Sequence, residues 1–366
     1  MWMVRVDIMR EGSTIPALTA LGKEALFMSD KKRPIAQTAL RRVTLGLYIV
    51  AVVLSLVVVV SFIALKLFAP PPEVPGQVEL PLATDDPSEQ NSDPVNTKDP
   101  QESEKPQTLV LNRRQGVYTC LLLGVADIGG SDTIMLGVFD TGAKTASLIS
   151  IPRDTVVRYN GKYIKLSAAY SYGGVEVVRQ YVHEMLAVPI DYYVSVDTRA
   201  FQEIVDEIEG VWFDVPPGMD YDDPAQNLHI HLKPGYQKLN GEDALKMVRC
   251  RSAYASQDIG RAATQRAFLA ALVKQTITLS NVTKATSLIS ILNKYVESDM
   301  ALGNMVYFGT QAVGMDLDTA LTSAVLSTNW VNPYIVPEAD EVLKLVNGLG
   351  IYEEEVPAEA LRLARP

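Results

Sequence analysis

At 366 residues with 48% hydrophobic content, the chain can bury a sizeable core and still carry appendages. A formal net charge of −10 argues against a general affinity for nucleic acid, because phosphate backbones demand a basic surface. The two cysteines, Cys120 and Cys250, each sit inside an apolar stretch, which favours buried free thiols over a bridge, and nothing about them resembles a thiolate metal site.

Residues 1–44 form an N-terminal segment, weakly patterned over 1–27, in which Met28 (MSDKKRP) is a second candidate translation start. Residues 45–69 follow as an apolar block, LGLYIVAVVLSLVVVVSFIALKLF over 45–68, whose single charge, Lys66, lies near its far end. About 20 apolar residues at ~1.5 Å each cross a ~30 Å hydrocarbon layer, so the block predicts one transmembrane helix. It is too long for a signal peptide and has no obvious small-residue cleavage site. Lys31, Lys32, Arg33, Arg41 and Arg42 precede it, whereas Glu73, Glu79, Asp85 and Asp86 follow it. Basic flanks stay inside, which predicts a single-pass cell-membrane protein with a cytoplasmic N-terminus and an extracytoplasmic remainder. The basic segment reads as a topology signal, with contact to DNA or anionic lipid as the alternative.

Residues 70–108 are rich in proline and acidic residues and hold too little apolar surface to offset chain entropy, so a disordered tether is expected. Patterning resumes at Leu109. The runs 118–125 (YTCLLLGV), 132–139 (DTIMLGVF) and 146–151 (ASLISI) are short and apolar, with turn signals such as residues 140–144 between them. They predict strands buried on both faces. Helical periodicity follows at 175–186, 199–208, 242–247 and 260–277, with strand-like 191–196 and 211–215 interspersed. Strands alternating with helices predict a layered α/β domain over 109–280. Residues 281–366 carry further helical pattern and two strand candidates near 321–336, expected as a C-terminal α/β extension packed on that domain.

Histidine-based hydrolysis has little to work with. There is no Gly-x-Ser-x-Gly elbow, and the chain has only His183, His229 and His231. His229 and His231 are two apart, so on a strand they share a face, which suits a metal; no third ligand clusters with them in sequence. Arginine and aspartate stand out instead. Arg153 and Asp154 (IPRD) directly follow an apolar strand, at a kind of strand end where α/β folds place ligands. Asp132 opens another apolar strand, after the loop 126–131 (ADIGGS). Arg249 and Arg251 flank Cys250 and share a side if that stretch is extended. Asp258 and Arg261 (DIGR) open a helix at i and i+3, and Gln265 sits one turn further on the same face. Converging guanidinium groups repel unless an anion joins them. Pyrophosphate is such an anion, its oxygens match the planar Arg fork, and Mg²⁺ lets carboxylates approach it. Local salt bridges and helix caps are the bland alternative for the same residues.

These segments resemble the LytR-CpsA-Psr family of extracytoplasmic glycopolymer ligases over about residues 117–275. The matching stretches are SDTIML (131–136), SLISIPRD (147–154), IKLSAAYSYGG (164–174) and DYYVSVD (191–197). They continue with FQEIVDEIEGVWFDVP (201–216), LKPGYQKLNGEDALKMVRCR (232–251) and DIGRAATQRAFLAAL (258–272). Each is weak alone; the ordered set is specific. The resemblance implies a mixed central sheet sandwiched between helices, with an apolar tunnel for a polyprenyl chain. It implies Asp132 as a metal-associated aspartate and Arg153 as a pyrophosphate-binding arginine. It further implies Arg249, Arg251, Arg261 and Gln265 as head-group residues, with Asp258 supporting Arg261. Two departures stand out. The family's Gly-x-Asp is here Gly124-Val125-Ala126-Asp127, one residue longer, which leaves Asp127 as the second metal-side candidate. Gly130 stands where the family often has arginine, removing one expected anion contact.

The expected reaction is phosphoryl transfer: a peptidoglycan hydroxyl attacks the glycan-side phosphorus of a polyprenyl-pyrophosphate-linked glycan, such as a teichoic acid or capsule precursor, and polyprenyl phosphate leaves. Arg153, Asp132 and Arg261 are the expected catalytic set, Mg²⁺ (or Mn²⁺) on Asp132 and Asp127 the expected cofactor, and Asp154 or Asp127 the candidate base. Hydrolysis of the same pyrophosphate and a non-enzymatic membrane-anchored regulator are the alternatives.

Overall fold

A computed structural model of the chain describes residues 70–82, 108–125, 129–224, 228–254, 258–276, 290–291, 293–313 and 315–366. The expected membrane span and the N-terminal segment lie outside them. Among the described residues, no helix is long and apolar enough to cross a membrane.

The chain runs through β1 (Gln77–Pro81), β2 (Thr108–Asn112), β3 (Val117–Val125), β4 (Ser131–Asp140), β5 (Thr145–Ser150), β6 (Val156–Tyr159) and β7 (Lys162–Lys165) before its first described helix, α1 (Leu166–Leu186). Then come β8 (Tyr192–Asp197), α2 (Thr198–Glu207), β9 (Val211–Val215), β10 (Asp220–Asp223), β11 (Leu228–His231), β12 (Gly235–Leu239), α3 (Gly241–Arg249) and α4 (Asp258–Thr276). The last part holds β13 (Val296–Ser298), α5 (Leu302–Ala312), α6 (Leu317–Ala320), β14 (Leu321–Val325), β15 (Thr328–Val331), β16 (Tyr334–Pro337) and α7 (Ala339–Gly348).

Six strands form the central sheet in the order β13-β8-β3-β4-β5-β14. β3 pairs parallel with β8, and β5 parallel with β14, while β4 runs antiparallel between β3 and β5. The sheet is therefore mixed, as the resemblance implies. Residues on alternate faces meet different layers. Leu121, Leu123, Ile134, Leu136 and Ile149 join Val175 and Val178 of α1 and Val342 and Val346 of α7 in one core. Ser150, next to Ile149, faces the other way and accepts a hydrogen bond from Arg266 of α4 at 3.0 Å. Helices thus cover both faces. A second core gathers Val205, Val211, Leu239, Met247 and Phe268 from α2, β9, β12, α3 and α4, with the β10–β11 hairpin as its lid through Met219, Leu228 and Ile230.

Three boundaries depart from the sequence reading. The expected tether over 70–108 contains a strand: β1 pairs antiparallel with β2, and Val78 and Leu80 are buried in the first core. Two apolar side chains among prolines leave no periodicity to detect, yet the alternation within QVELP suffices for one edge strand. Residues 281–366 are not an appendix to a finished domain, because β13 and β14 form the two edges of the central sheet. α1 begins nine residues before the predicted 175, because Gly173 and Gly174 leave helical φ/ψ and split the helix into two shorter pieces. Both cysteines are free, and burial pushes the Cys120 thiol up to about 12.

Candidate functional site

β3, β5, β8 and β14 all point the same way, so their C-terminal ends share one edge of the sheet with the start of β4. Register alone carries Asp132 to Arg153 there. The β4–β5 ladder pairs Met135 with Ser150, and Ile151 N donates to Ile134 O at 2.9 Å one step further. Two more steps bring position 132 opposite position 153, and Arg153 Nη1 donates to Asp132 Oδ1. The backbone of the IPRD turn is fixed by α1: Ser167 N donates to Arg153 O at 2.9 Å and Leu166 N to Thr155 O at 2.8 Å. Asp154 is 9% exposed and lies 3.7 Å from Arg153 Nε and 3.1 Å from Lys165 Nζ. Its Oδ1 is buried without a hydrogen bond, as is Ser131 Oγ beside Asp132.

α4 runs antiparallel to β5. Arg266 meets Ser150 at the C-terminal end of β5, whereas Lys274 meets Asp318 just before β14, whose Leu321 pairs with Ala146 at the N-terminal end of β5. The N-terminus of α4 therefore lies toward the Asp132–Arg153 edge. Arg261, five residues before Arg266 and so ~7.5 Å further along the axis, is carried toward the same edge and is buried. Arg251 is tied to the first turns of α4 through Tyr254. Tyr254 N donates to Arg251 O at 3.1 Å, its ring covers Gly260, and its hydroxyl shares a hydrogen bond with Thr264. Burial raises the Tyr254 pKa, against the Thr264 bond, which lowers it. Cys250 is buried in the second core between exposed Arg249 and half-buried Arg251. Arg249 belongs to the last turn of α3, so the two arginines flank a helix end and not an extended strand.

Gln265, expected among the head-group residues, has one contact to the backbone at the end of α3. Its Nε2 donates to Val248 O at 3.0 Å, which ties α4 to the end of α3 and so holds the 249–251 segment. Asp127 and the side chain of Asp258 lie outside the described residues. Three residues were missed in the sequence. Lys165 neutralises Asp154, and Ser131 is buried beside Asp132. Arg266 is 9% exposed, bonds Ser150 Oγ and has no carboxylate partner among the described residues; burial lowers its pKa. A readable signal existed for Arg266, a charge between Thr264 and Phe268 in a helix whose neighbours are mostly apolar.

Asp132 Oδ1 is taken by Arg153, but Oδ2 has no partner among the described residues and the side chain is 49% exposed. One accessible hard oxygen fits Mg²⁺, which uses one or two carboxylates and completes its shell with phosphate and water oxygens. Two surface clefts, of about 390 and 490 Å³, lie between β5, β14 and α7 and along α1 near Pro189. Neither is lined by a candidate site residue.

A mixed α/β sheet between helices, with Arg153 paired to Asp132 at its C-terminal strand edge and the N-terminus of α4 directed toward that edge, defines the class of domain. The chain matches the LytR_cpsA_psr family over residues 86–347, well over half its length, and it belongs to that family. It is 32% identical over 206 residues to the polyisoprenyl-teichoic acid–peptidoglycan teichoic acid transferase TagV of Bacillus subtilis, a match covering 53% of this chain and 52% of that protein. Among solved structures, B. subtilis TagV aligns with a TM-score of 0.56 at 27% identity, covering 64% of this chain and 96% of that one. A structure of TagT bound to LIIa-WTA aligns with a TM-score of 0.53 at 26% identity, covering 64% and 90%. The chain thus spans about half the length of that curated TagV and most of the crystallised domains.

Proposed function

We propose that this protein transfers a glycan phosphate from a polyprenyl-pyrophosphate-linked donor to a hydroxyl of peptidoglycan. The observation that carries the reading is the Arg153–Asp132 contact at the strand edge toward which α4 brings Arg261 and Arg251. Relatives named as teichoic acid transferases support it. In the reaction the acceptor hydroxyl gives its proton to a carboxylate, Asp154 or Asp127 being the candidates, its oxygen bonds to the glycan-side phosphorus, the bond to the bridging oxygen breaks, and polyprenyl phosphate departs with the electron pair. Arg153 and Arg261 hold the diphosphate oxygens, where planar forks stabilise charge that grows in the transition state. Lys165 Nζ, 3.1 Å from Asp154 Oδ2, holds that carboxylate in place beside Arg153. Mg²⁺ or Mn²⁺ held by Asp132, with Asp127 as its second carboxylate, would supply further neutralisation of phosphate charge when bound. The diphosphate competes with Asp132 for the Arg153 guanidinium. Residues 45–69 anchor the protein as a single pass with the catalytic domain outside the cytoplasm, on the side where peptidoglycan lies.

The test is transfer in vitro with a defined polyprenyl-linked donor, purified peptidoglycan and varied Mg²⁺. Arg153→Ala should lower transfer by about 10²–10³ with the fold intact, and Arg153→Lys should recover little because the fork is lost. Turnover of Arg153→Ala near that of the parent protein overturns the assignment. Release of glycan phosphate into water at the same rate with and without acceptor identifies a hydrolase instead.

A further inference from the structure

The β10–β11 hairpin carries a constellation that the proposed transfer does not use. Its register sets Asp220 opposite His231 and Asp222 opposite His229. Leu228 and Ile230 face the second core, so strand alternation sends His229 and His231 to the solvent face, together with the two aspartates. One carboxylate oxygen serves both rings: Asp222 Oδ1 lies 2.5 Å from His229 Nδ1 and 3.4 Å from His231 Nε2. The remaining ring nitrogen of His231, Nδ1, is 2.6 Å from Asp220 Oδ1. Ligand atoms of Asp222, His229 and His231 all lie within 4.8 Å of one another.

The geometry points to a binding site for a zinc-class divalent transition ion on this hairpin, with His229 Nδ1, His231 Nε2 and an Asp222 carboxylate oxygen as ligands and Asp220 orienting His231. Zinc takes imidazole nitrogen and carboxylate oxygen at about 2.0–2.2 Å, which sets tetrahedral ligands about 3.3 Å apart. The 2.5 and 3.4 Å carboxylate–imidazole separations bracket that value, and the two imidazole ligand atoms lie within 4.8 Å of each other. A metal-bound imidazole usually donates its other N–H to a carboxylate, which fixes the tautomer, and Asp220 already occupies that place. Three protein ligands leave a fourth position for water. Imidazole also separates this site from the one at Asp132, because magnesium prefers oxygen alone. An ion here would pin together the strands of a two-stranded ribbon, which by itself is marginally stable.

The sequence supplies a built-in control, since the only other histidine, His183, sits on α1 with Nδ1 2.7 Å from Val188 O. The experiment is a zinc titration of the full chain after chelator treatment, read by calorimetry and by imidazole NMR. One equivalent of zinc should bind and shift the His229 and His231 resonances while His183 stays still. Asp220→Asn should keep the stoichiometry and weaken affinity about 10–100-fold, and the His229→Ala/His231→Ala double variant should lose the site. All the substituted positions are exposed, so far-UV dichroism of the variants should match the parent. Zinc that fails to bind, binds the double variant equally well, or shifts only His183 overturns the proposal.

Discussion

Two arginine–aspartate pairs in this chain have opposite meanings, and their surroundings tell them apart. Arg113 and Asp191 are 1% and 5% exposed at the side chain, and the guanidinium also donates to Val117 O at 2.8 Å while Asp191 accepts from Thr119 N at 2.8 Å. Both Nη groups of Arg113 and both carboxylate oxygens of Asp191 are bonded at the N-terminal ends of β3 and β8, although Arg113 Nε is buried without a hydrogen bond. Arg113→Ala leaves a buried carboxylate without its partner and should cost about 3–5 kcal/mol in denaturant unfolding. A loss under ~1 kcal/mol would mean that Asp191 finds water or another cation. Arg153 and Asp132 are 26% and 49% exposed, beside Ser131 and Asp154 atoms that have no hydrogen bond. A pair at that exposure contributes little to stability. Its removal should be felt in transfer and hardly in unfolding, the reverse of Arg113.

At the scale of elements, α4 is the piece that assembles the site, and its fit depends on one glycine. A Cβ on Gly260 would come within 2.5 Å of Cβ and Cγ of Tyr254, the residue that ties Arg251 to the helix. Gly260→Ala should therefore displace Tyr254, cost about 1–3 kcal/mol as overpacking does, and reduce transfer beyond what that loss of stability explains. Equal transfer by the folded variant would show that the position of Arg251 is immaterial. What the sequence discloses at this scale follows from length and periodicity. The three apolar runs became β3, β4 and β5 within a residue or so, because strands buried on both faces must be apolar throughout. The Arg153–Asp132 contact follows from the β4–β5 hairpin register, which the turn at residues 140–144 sets and which no motif states. Cross-strand partners are the part that escaped. His229 and His231 were visible as a pair, but Asp220 and Asp222 join them only through pairing across a loop. β1 and the first half of α1 escaped for want of period, one being too short and the other broken at Gly173–Gly174.

At the scale of the molecule, the family match ending at residue 347 agrees with the topology better than a domain boundary at 280 does. The sheet acquires both of its edge strands after residue 290, β13 beside β8 and β14 beside β5. Without β14, the unpaired edge would be β5, whose end leads into Arg153. The same C-terminal stretch fills the first core with Val342, Val346, Ile351 and Val356, each 2% exposed or less. At ~1.5–3 kcal/mol for each fully buried aliphatic side chain, removing them withdraws about 6 kcal/mol or more. A domain's entire stability is only about 5–15 kcal/mol. A chain ended at residue 280 should therefore lack a cooperative thermal transition, while one that extends to 366 should show it. A sharp transition in the shorter chain at a similar temperature would mean that the C-terminal strands and α7 decorate a core already complete.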